Sequence, residues 1–211
     1  MDGGIKLSVI IPLYNQQELV KIGLDSVPKR DDIEIIVVDD CSTDDSYNVV
    51  EKYREETGKN ITILRNERNR GVGYTVNRGL DIAKGEYIAQ LDSDGDYLVG
   101  LERAIAFLDF WDIIYFPFQI NDGTWKQTEI LDIGHFPGCS KFVRREFIGD
   151  LREPHLENEE DTYFYNSLRA KNPTEKLLGK EIVYLHYNYP REGSNVWNVL
   201  HGITPKGMVR E

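Results

Sequence analysis

Residues 85–96, Gly85-Glu-Tyr-Ile-Ala-Gln-Leu-Asp-Ser-Asp-Gly-Asp96, decide how this chain is read. Tyr87 to Leu91 is a short, mostly apolar run that reads as a buried strand. It stops abruptly in three carboxylates, Asp92, Asp94 and Asp96, with Gly95 among them. A strand end is a rigid platform, and alternate carboxylates there can converge on one hard cation. Such a cation could in turn hold a diphosphate. The plain alternative is an acidic turn, since Asp and Gly favour turns. A calcium loop is excluded, because the EF-hand pattern wants Gly sixth and Glu twelfth, where this chain has Tyr97 and Arg103.

Upstream, the same kind of unit repeats. Leu7 to Ile11, closed by Pro12, is a β-branched run expected of a strand buried on both faces. Asn15 is predicted to cap an amphipathic helix that turns Leu19, Ile22 and Val27 inward. Ile33 to Val38 ends in Asp39-Asp40-Cys-Ser-Thr-Asp44, with Thr43 as the expected cap of a helix running to about Glu56. On its own, Asp39-Asp40 is also the ordinary chemistry of a helix entry. Ile61 to Leu64 leads into Asn69-Arg-Gly-Val-Gly73 and a helix to about Ala83. Val76 stands where GxGxxG needs its third glycine, so a dinucleotide fingerprint is rejected. Strand and helix alternating over short connections imply an α/β fold, with a mostly parallel sheet covered by helices on both faces. Ligands of such sheets gather at the carboxyl ends of the strands, where Tyr14-Asn15, Asp39-Asp40 and Asp92-Ser-Asp94 all fall.

Downstream the pattern loosens. Leu101 to Leu108 reads as helix, and Asp112 to Phe118 as one aromatic strand whose Trp111, Tyr115, Phe116 and Phe118 belong to the core. Asn121-Asp-Gly is a turn signal. Lys141 to Phe147 and about Glu159 to Arg169 read as helices, and Ile182 to Tyr189 as a strand followed by Pro190-Arg-Glu-Gly-Ser194. Asn158-Glu-Glu-Asp161 is an ordinary helix start that also sets a carboxylate at a rigid element end, Asp161 first and Glu160 as its fallback. His186 is a metal ligand or, between Tyr184 and Tyr187, a hydrogen-bonded histidine. His135, His155 and His201 are surface by default. Trp125 and Trp197, in polar stretches, are candidates for stacking on a ligand ring.

With 211 residues the chain makes one domain and one continuous sheet, with no linker. Its net charge of −11 argues against nucleic acid or anionic membrane as a partner. Cys41 and Cys139 are far apart without CxxC spacing and are expected to be reduced thiols of a cytoplasmic protein. No apolar run approaches the roughly 20 residues of a membrane span, and 197–211 has no basic amphipathic helix, so membrane contact is peripheral at most.

Six pieces, in order from about residue 5 to 195, resemble the family 2 inverting glycosyltransferases of the GT-A fold. They are Val9-Ile-Ile-Pro-Leu-Tyr-Asn15; Ile36-Val-Val-Asp-Asp40 with Ser42-Thr-Asp44; Gly71-Val-Gly73 with Asn77-Arg-Gly-Leu80; Ala83-Lys-Gly-Glu-Tyr-Ile88 with Leu91-Asp-Ser-Asp94; Glu160-Asp161-Thr-Tyr-Phe164; and Arg191-Glu-Gly-Ser194. The resemblance implies a nucleotide-diphosphate sugar, usually a UDP-sugar, bound by about 5–98. It implies a glycan or lipid-linked hydroxyl acceptor met by about 99–195, with 196–211 as a tail. Donor contacts are implied at Pro12, Tyr14, Asp40, Asn77, Asp92 and Ser93, with Tyr14 and Asp40 holding the base. Asp94, with Asp92, would ligate Mn²⁺ or Mg²⁺, and Asp161 would be the general base. The chain departs from the family pattern at Gly95 in place of Asp, at Val76 in place of Arg, and at Cys139 in place of an aromatic. Diphosphate contacts are then left to Arg70, Arg78 or Arg191. A sugar-phosphate nucleotidyltransferase is the first rival, weakened by a first loop, Pro12-Leu-Tyr-Asn-Gln, with neither Gly nor a basic residue. A non-catalytic nucleotide-sugar-binding module is the second.

Overall fold

The computed structural model of the protein describes residues 4–94, 97–120, 125–126, 139–154 and 160–187. Its spine is four parallel strands, β1 (Leu7–Leu13), β2 (Ile33–Asp39), β3 (Ile61–Arg65) and β4 (Tyr87–Gln90), set side by side as β4-β1-β2-β3. Between them come α1 (Val20–Ser26), α2 (Ser46–Thr57) and α3 (Val72–Ile82). All seven residues of β2 are buried, as a strand covered on both faces requires.

Strand periodicity sorts side chains between two cores. Leu7, Val9, Ile11, Ile33, Ile35 and Val37 join one, with Val20 and Leu24 of α1 and Val50 and Tyr53 of α2. Ile10, Ile36, Val38 and Ile88 join the other, with Val76 and Leu80 of α3. The α3 helix lies very close to β1: a Cβ on Gly79 would come within 2.5 Å of Ile10 Cγ2. On the α3 side Ser8 and Glu34 form a buried polar pair, Ser8 Oγ donating to Glu34 Oε1 at 2.6 Å. The Gly85 and Lys84 amides donate to those two side chains, which steers the chain from α3 into β4.

Beyond β4 the structure departs from the sequence reading. Among the described residues the expected continuous sheet is two sheets, one of seven strands and one of four. The expected strand 112–118 is broken into β6 (Ile113–Tyr115) and β7 (Phe118–Ile120), in different sheets. Pro117 has no N–H to continue the first ladder, while its carbonyl accepts from Leu185 and opens the second. The small sheet has the order β5 (Tyr97–Val99), β11 (Tyr184–Tyr187), β7, β8 (Trp125–Lys126). Leu98 and Leu185 pack into the α1–α2 core, as do Leu101 and Ala104 of the short helix α4 (Leu101–Ala104). Neither β5 nor β10 (Glu175–Leu177) is anticipated by the sequence pattern.

The helix expected over 141–147 is a strand for its first half. β9 (Lys141–Arg144) runs antiparallel between β4 and β6, with Phe142 in one core and Val143 in the other, and only α5 (Arg145–Ile148) is helical. The gap between two buried strands demands a ladder partner, and that demand overrides the local helical preference. β10 pairs with β6 and closes the large sheet. Helix α6 (Glu160–Arg169) covers the α3 side through Phe164, Tyr165 and Leu168.

Two caps are corrected. Asn15 does not cap a helix: its φ is 51° and its Oδ1 accepts from Thr43 N, while α1 starts at Val20 and leaves Ile22 37% exposed. Thr43 does not cap α2; Asp44 Oδ1 accepts from the Ser46 amide at its start. The expected core aromatics hold, with Tyr115 and Phe116 fully buried and Trp111 and Phe118 partly so. The Asn121-Asp-Gly turn, Gly95, Asp96, His135, His155, Asn158, Pro190 to Ser194, Trp197 and His201 lie outside the described residues, as do the side chains of Trp125 and Glu160.

Candidate active site

The carboxyl ends of β1, β2 and β4 lie side by side, Leu13 beside Asp39 and Ile10 beside Gln90. The loops after β1 and β2 are stapled by reciprocal hydrogen bonds. Asn15 N donates to Ser42 Oγ and Thr43 N to Asn15 Oδ1; Gln17 N donates to Asp44 Oδ2 and Asp45 N to Gln17 Oε1. Pro12 and Tyr14 are half-buried at this edge.

Asp39 is fully buried, takes the Ser42 amide and pairs with Arg65 Nε at 3.1 Å. Asp40 is 4% exposed, and its carboxylate accepts from Asn66 Nδ2 at 2.6 Å, Arg70 N at 2.9 Å and Gly71 N at 2.8 Å. The residue expected to hold a base therefore first shapes the loop leading into α3. Arg78 is committed to the same loop, donating to Arg65 O and Asn66 Oδ1. Arg70 instead stacks over Tyr74, 4.2 Å from the ring centre. Val76, where the family pattern carries Arg, is a buried core residue.

Asn77, expected at the donor, has its carboxamide taken up by the backbone of Glu153. It donates to Glu153 O and accepts from Glu153 N, both at 2.8 Å. Gly73 allows this approach, because a Cβ there would sit 2.8 Å from Pro154 O. Asn77 thus ties α3 to the segment before α6.

Asp92 and Asp94 are half-buried after β4, and Ser93 between them is 7% exposed. They offer hard oxygen donors, and Mg²⁺ bound by one or two carboxylates keeps its other positions for water and substrate phosphates. The pair fits an ion held jointly with a diphosphate. An all-protein cage is not formed: among the described residues no group of three or more His, Cys, Asp and Glu side chains is arranged to hold a metal. His186, half-buried on β11 between Tyr97 and Gln119, is accordingly not gathered to Asp92 and Asp94 in ligating geometry.

Asp161 is half-buried at the second position of α6, where its Oδ1 accepts from Thr162 N at 2.7 Å. What joins it to the rest is a residue the sequence reading passed over. Because β9 is antiparallel to β4, Lys141 stands at the edge where β4 gives way to Asp92. It is 2% exposed, with its ammonium 3.7 Å from the centre of the Tyr165 ring. Burial pushes the lysine down to about 8, opposed by negative charge on Asp161 first, with Glu153 and Asp92 adding to it. Burial also drives the Tyr165 phenol well up, reinforced by Glu153 and Asp161. Carboxylates from both halves of the chain thus act on one buried cation. An alternating reading of Lys-Phe-Val-Arg would have exposed this lysine as a buried strand residue; the helical reading hid it. Cys139 and Ser140, just before it, are buried, and both cysteines are free thiols.

Residues 8–176 match the sequence profile of Glycosyl transferase family 2. The chain belongs to that family. Among relatives it is 38% identical over 110 residues to a poly(ribitol-phosphate) beta-glucosyltransferase of Bacillus spizizenii, covering 50% of this chain and 17% of that protein. It is 40% identical over 111 residues to the poly(ribitol-phosphate) beta-N-acetylglucosaminyltransferase TarS of Staphylococcus aureus, covering 50% of this chain and 19% of that one. The crystal structure of S. aureus TarS 1-349 with UDP-GlcNAc superposes with a TM-score of 0.75 at 28% identity, over 88% of this family 2 chain and 60% of that one. The matches thus span less than a fifth of the length of these two curated relatives. Among the described residues of this family 2 chain no helix is long and apolar enough to cross a membrane.

Proposed function

We propose that this chain transfers a sugar from a nucleotide-diphosphate sugar, a UDP-sugar in the first instance, to a hydroxyl of a glycan or lipid-linked acceptor in the cytoplasm. The reading rests above all on the family 2 match over residues 8–176, with Asp92 after β4 and Asp161 on α6 as half-buried carboxylates of the two halves of the chain. The UDP-GlcNAc complex of TarS supports the donor class. Family membership leaves a nucleotidyltransferase without support.

In this reading the first and second loops, shaped by Asp40 and stapled through Asn15, hold the nucleotide. Asp92 and Asp94 hold a divalent cation, which when bound neutralises charge on the departing diphosphate. Asp161 takes the proton of the acceptor hydroxyl as its oxygen bonds to the anomeric carbon. The bond to the phosphate oxygen breaks on the opposite face, its electron pair leaves with the diphosphate, and the anomeric centre inverts. Base catalysis of this kind is worth roughly 10²–10⁴-fold.

The test is thermal unfolding with UDP-glucose, UDP-GlcNAc and GDP-mannose, each with and without Mn²⁺, followed by UDP release with poly(ribitol phosphate) as acceptor. A ligand at about 100 times its Kd stabilises by about 2.7 kcal/mol. Asp94→Ala is expected to abolish the Mn²⁺-dependent part of that shift, whereas Asp161→Asn keeps it and loses turnover. Turnover undiminished in both variants would sink the assignment.

A further inference from the structure

We propose that Lys141 is a positioning residue of the transfer step: its buried ammonium, seated over the Tyr165 ring, fixes the Asp161 carboxylate one helical turn away against the sheet edge. The inference rests on the glycosyltransferase reading and adds to it a residue with no part in that scheme.

The geometry comes from two elements. Lys141 opens β9, whose antiparallel pairing to β4 and β6 gives it no freedom along the sheet. Asp161 and Tyr165 lie four residues apart on α6, hence on one face of the helix. Tyr165 places its ring 3.7 Å from the ammonium, and Asp161 is the strongest of the negative charges acting on it. The lysine therefore docks the start of α6, where Asp161 sits, onto the sheet edge.

Packing alone does not account for a lysine here. A methionine of similar length would fill a fully buried site without taking an ammonium out of water, and burying an unpaired charge is strongly unfavourable. Glu153, 3% exposed, also acts on Lys141, so a role as the mere counter-ion of Glu153 is the rival to be separated.

The experiment is steady-state UDP release by the full chain, with Mn²⁺ and the UDP-sugar giving the larger thermal shift, for wild type, K141M, D161N and the double variant. K141M takes the cation from buried carboxylates and is expected to unfold below wild type, by roughly 6–20 °C. Its KM for the donor is expected to stay within about threefold while kcat falls at least about tenfold. On the D161N background, K141M is expected to change residual kcat by less than about twofold, as residues acting through one another do. A folded K141M with wild-type kcat overturns the proposal. So does an equal proportional loss on the D161N background, or a cycle in which E153Q rather than D161N absorbs the effect. If K141M fails to fold, K141R keeps the charge and is expected to hold kcat within about tenfold; a loss as deep as that of D161N overturns the proposal. A wild-type chain that neither shifts with any donor nor releases UDP overturns the glycosyltransferase reading itself, and needs no variant to be recognised.

Discussion

The Asn77 side chain and the Glu153 backbone meet twice, one bond donated and one accepted, each 2.8 Å long. This pair is the clasp between α3 and the segment leading to α6. Asn77→Ala removes both bonds and strands a half-buried amide and carbonyl, at a cost of about 1–3 kcal/mol. For a chain of this size, a melting temperature lower by roughly 2–10 °C is expected in thermal unfolding. An unchanged melting temperature would mean that water replaces the clasp without loss.

Asp40 tests whether the proposed nucleotide site is built by its own loop. Asp40→Asn keeps the shape but sets an amide against the Arg70 and Gly71 N–H groups, which now converge on a carboxylate. Bonds to a charged acceptor are worth about 1.5–3 kcal/mol each. The variant is expected to be less stable and to bind UDP at least about tenfold more weakly. Titration calorimetry beside thermal unfolding checks both.

At Gly79 two effects of opposite sign compete. Alanine is favoured over glycine inside a helix by about 1 kcal/mol. Its methyl, however, would come within 2.5 Å of Ile10 Cγ2, in a fully buried side chain. Overpacking costs about 1–3 kcal/mol, so Gly79→Ala is expected to be net destabilising by up to about 2 kcal/mol. Chemical denaturation measures it, and a net gain would show that β1 yields without strain.

Asp112 ties the start of β6 to the turn before β10. Burial opposes its ionisation, but hydrogen bonds from the Thr174 amide and hydroxyl, with Arg144 beside it, outweigh that and hold its carboxyl below the usual range. A carboxyl depressed by folding contributes stability above its unfolded value, near 3.9, and loses it as pH falls through the folded value. Asp112→Asn should therefore lower the melting temperature at pH 7, by a deficit that shrinks as the pH is taken below about 4 toward 2. An equal deficit at both pH values would contradict that linkage.

The first half of the fold was legible because each of its signals is local. Leu7–Leu13, Ile33–Asp39 and Tyr87–Gln90 are apolar runs cut off by polar residues, and short connections dictate parallel neighbours. The acidic residues Asp40, Asp92 and Asp94 were found because strand ends are visible as changes of composition. Beyond residue 100 the elements are shorter and their pairing is distant. Phe116-Pro117 divides one apparent strand between two sheets, a decision made by Ser140 and Leu185 far along the chain.

The sequence by itself determined that this is an α/β family 2 chain with acidic residues at the carboxyl edge of a parallel sheet, since strand period, helix period and strand-end chemistry are all written within a dozen residues. Only the tertiary structure decided that Lys141 belongs to a strand and lies buried against the Tyr165 ring. That outcome depends on an open place between β4 and β6 and on the low dielectric around a desolvated ammonium, neither of which any run of neighbouring residues encodes.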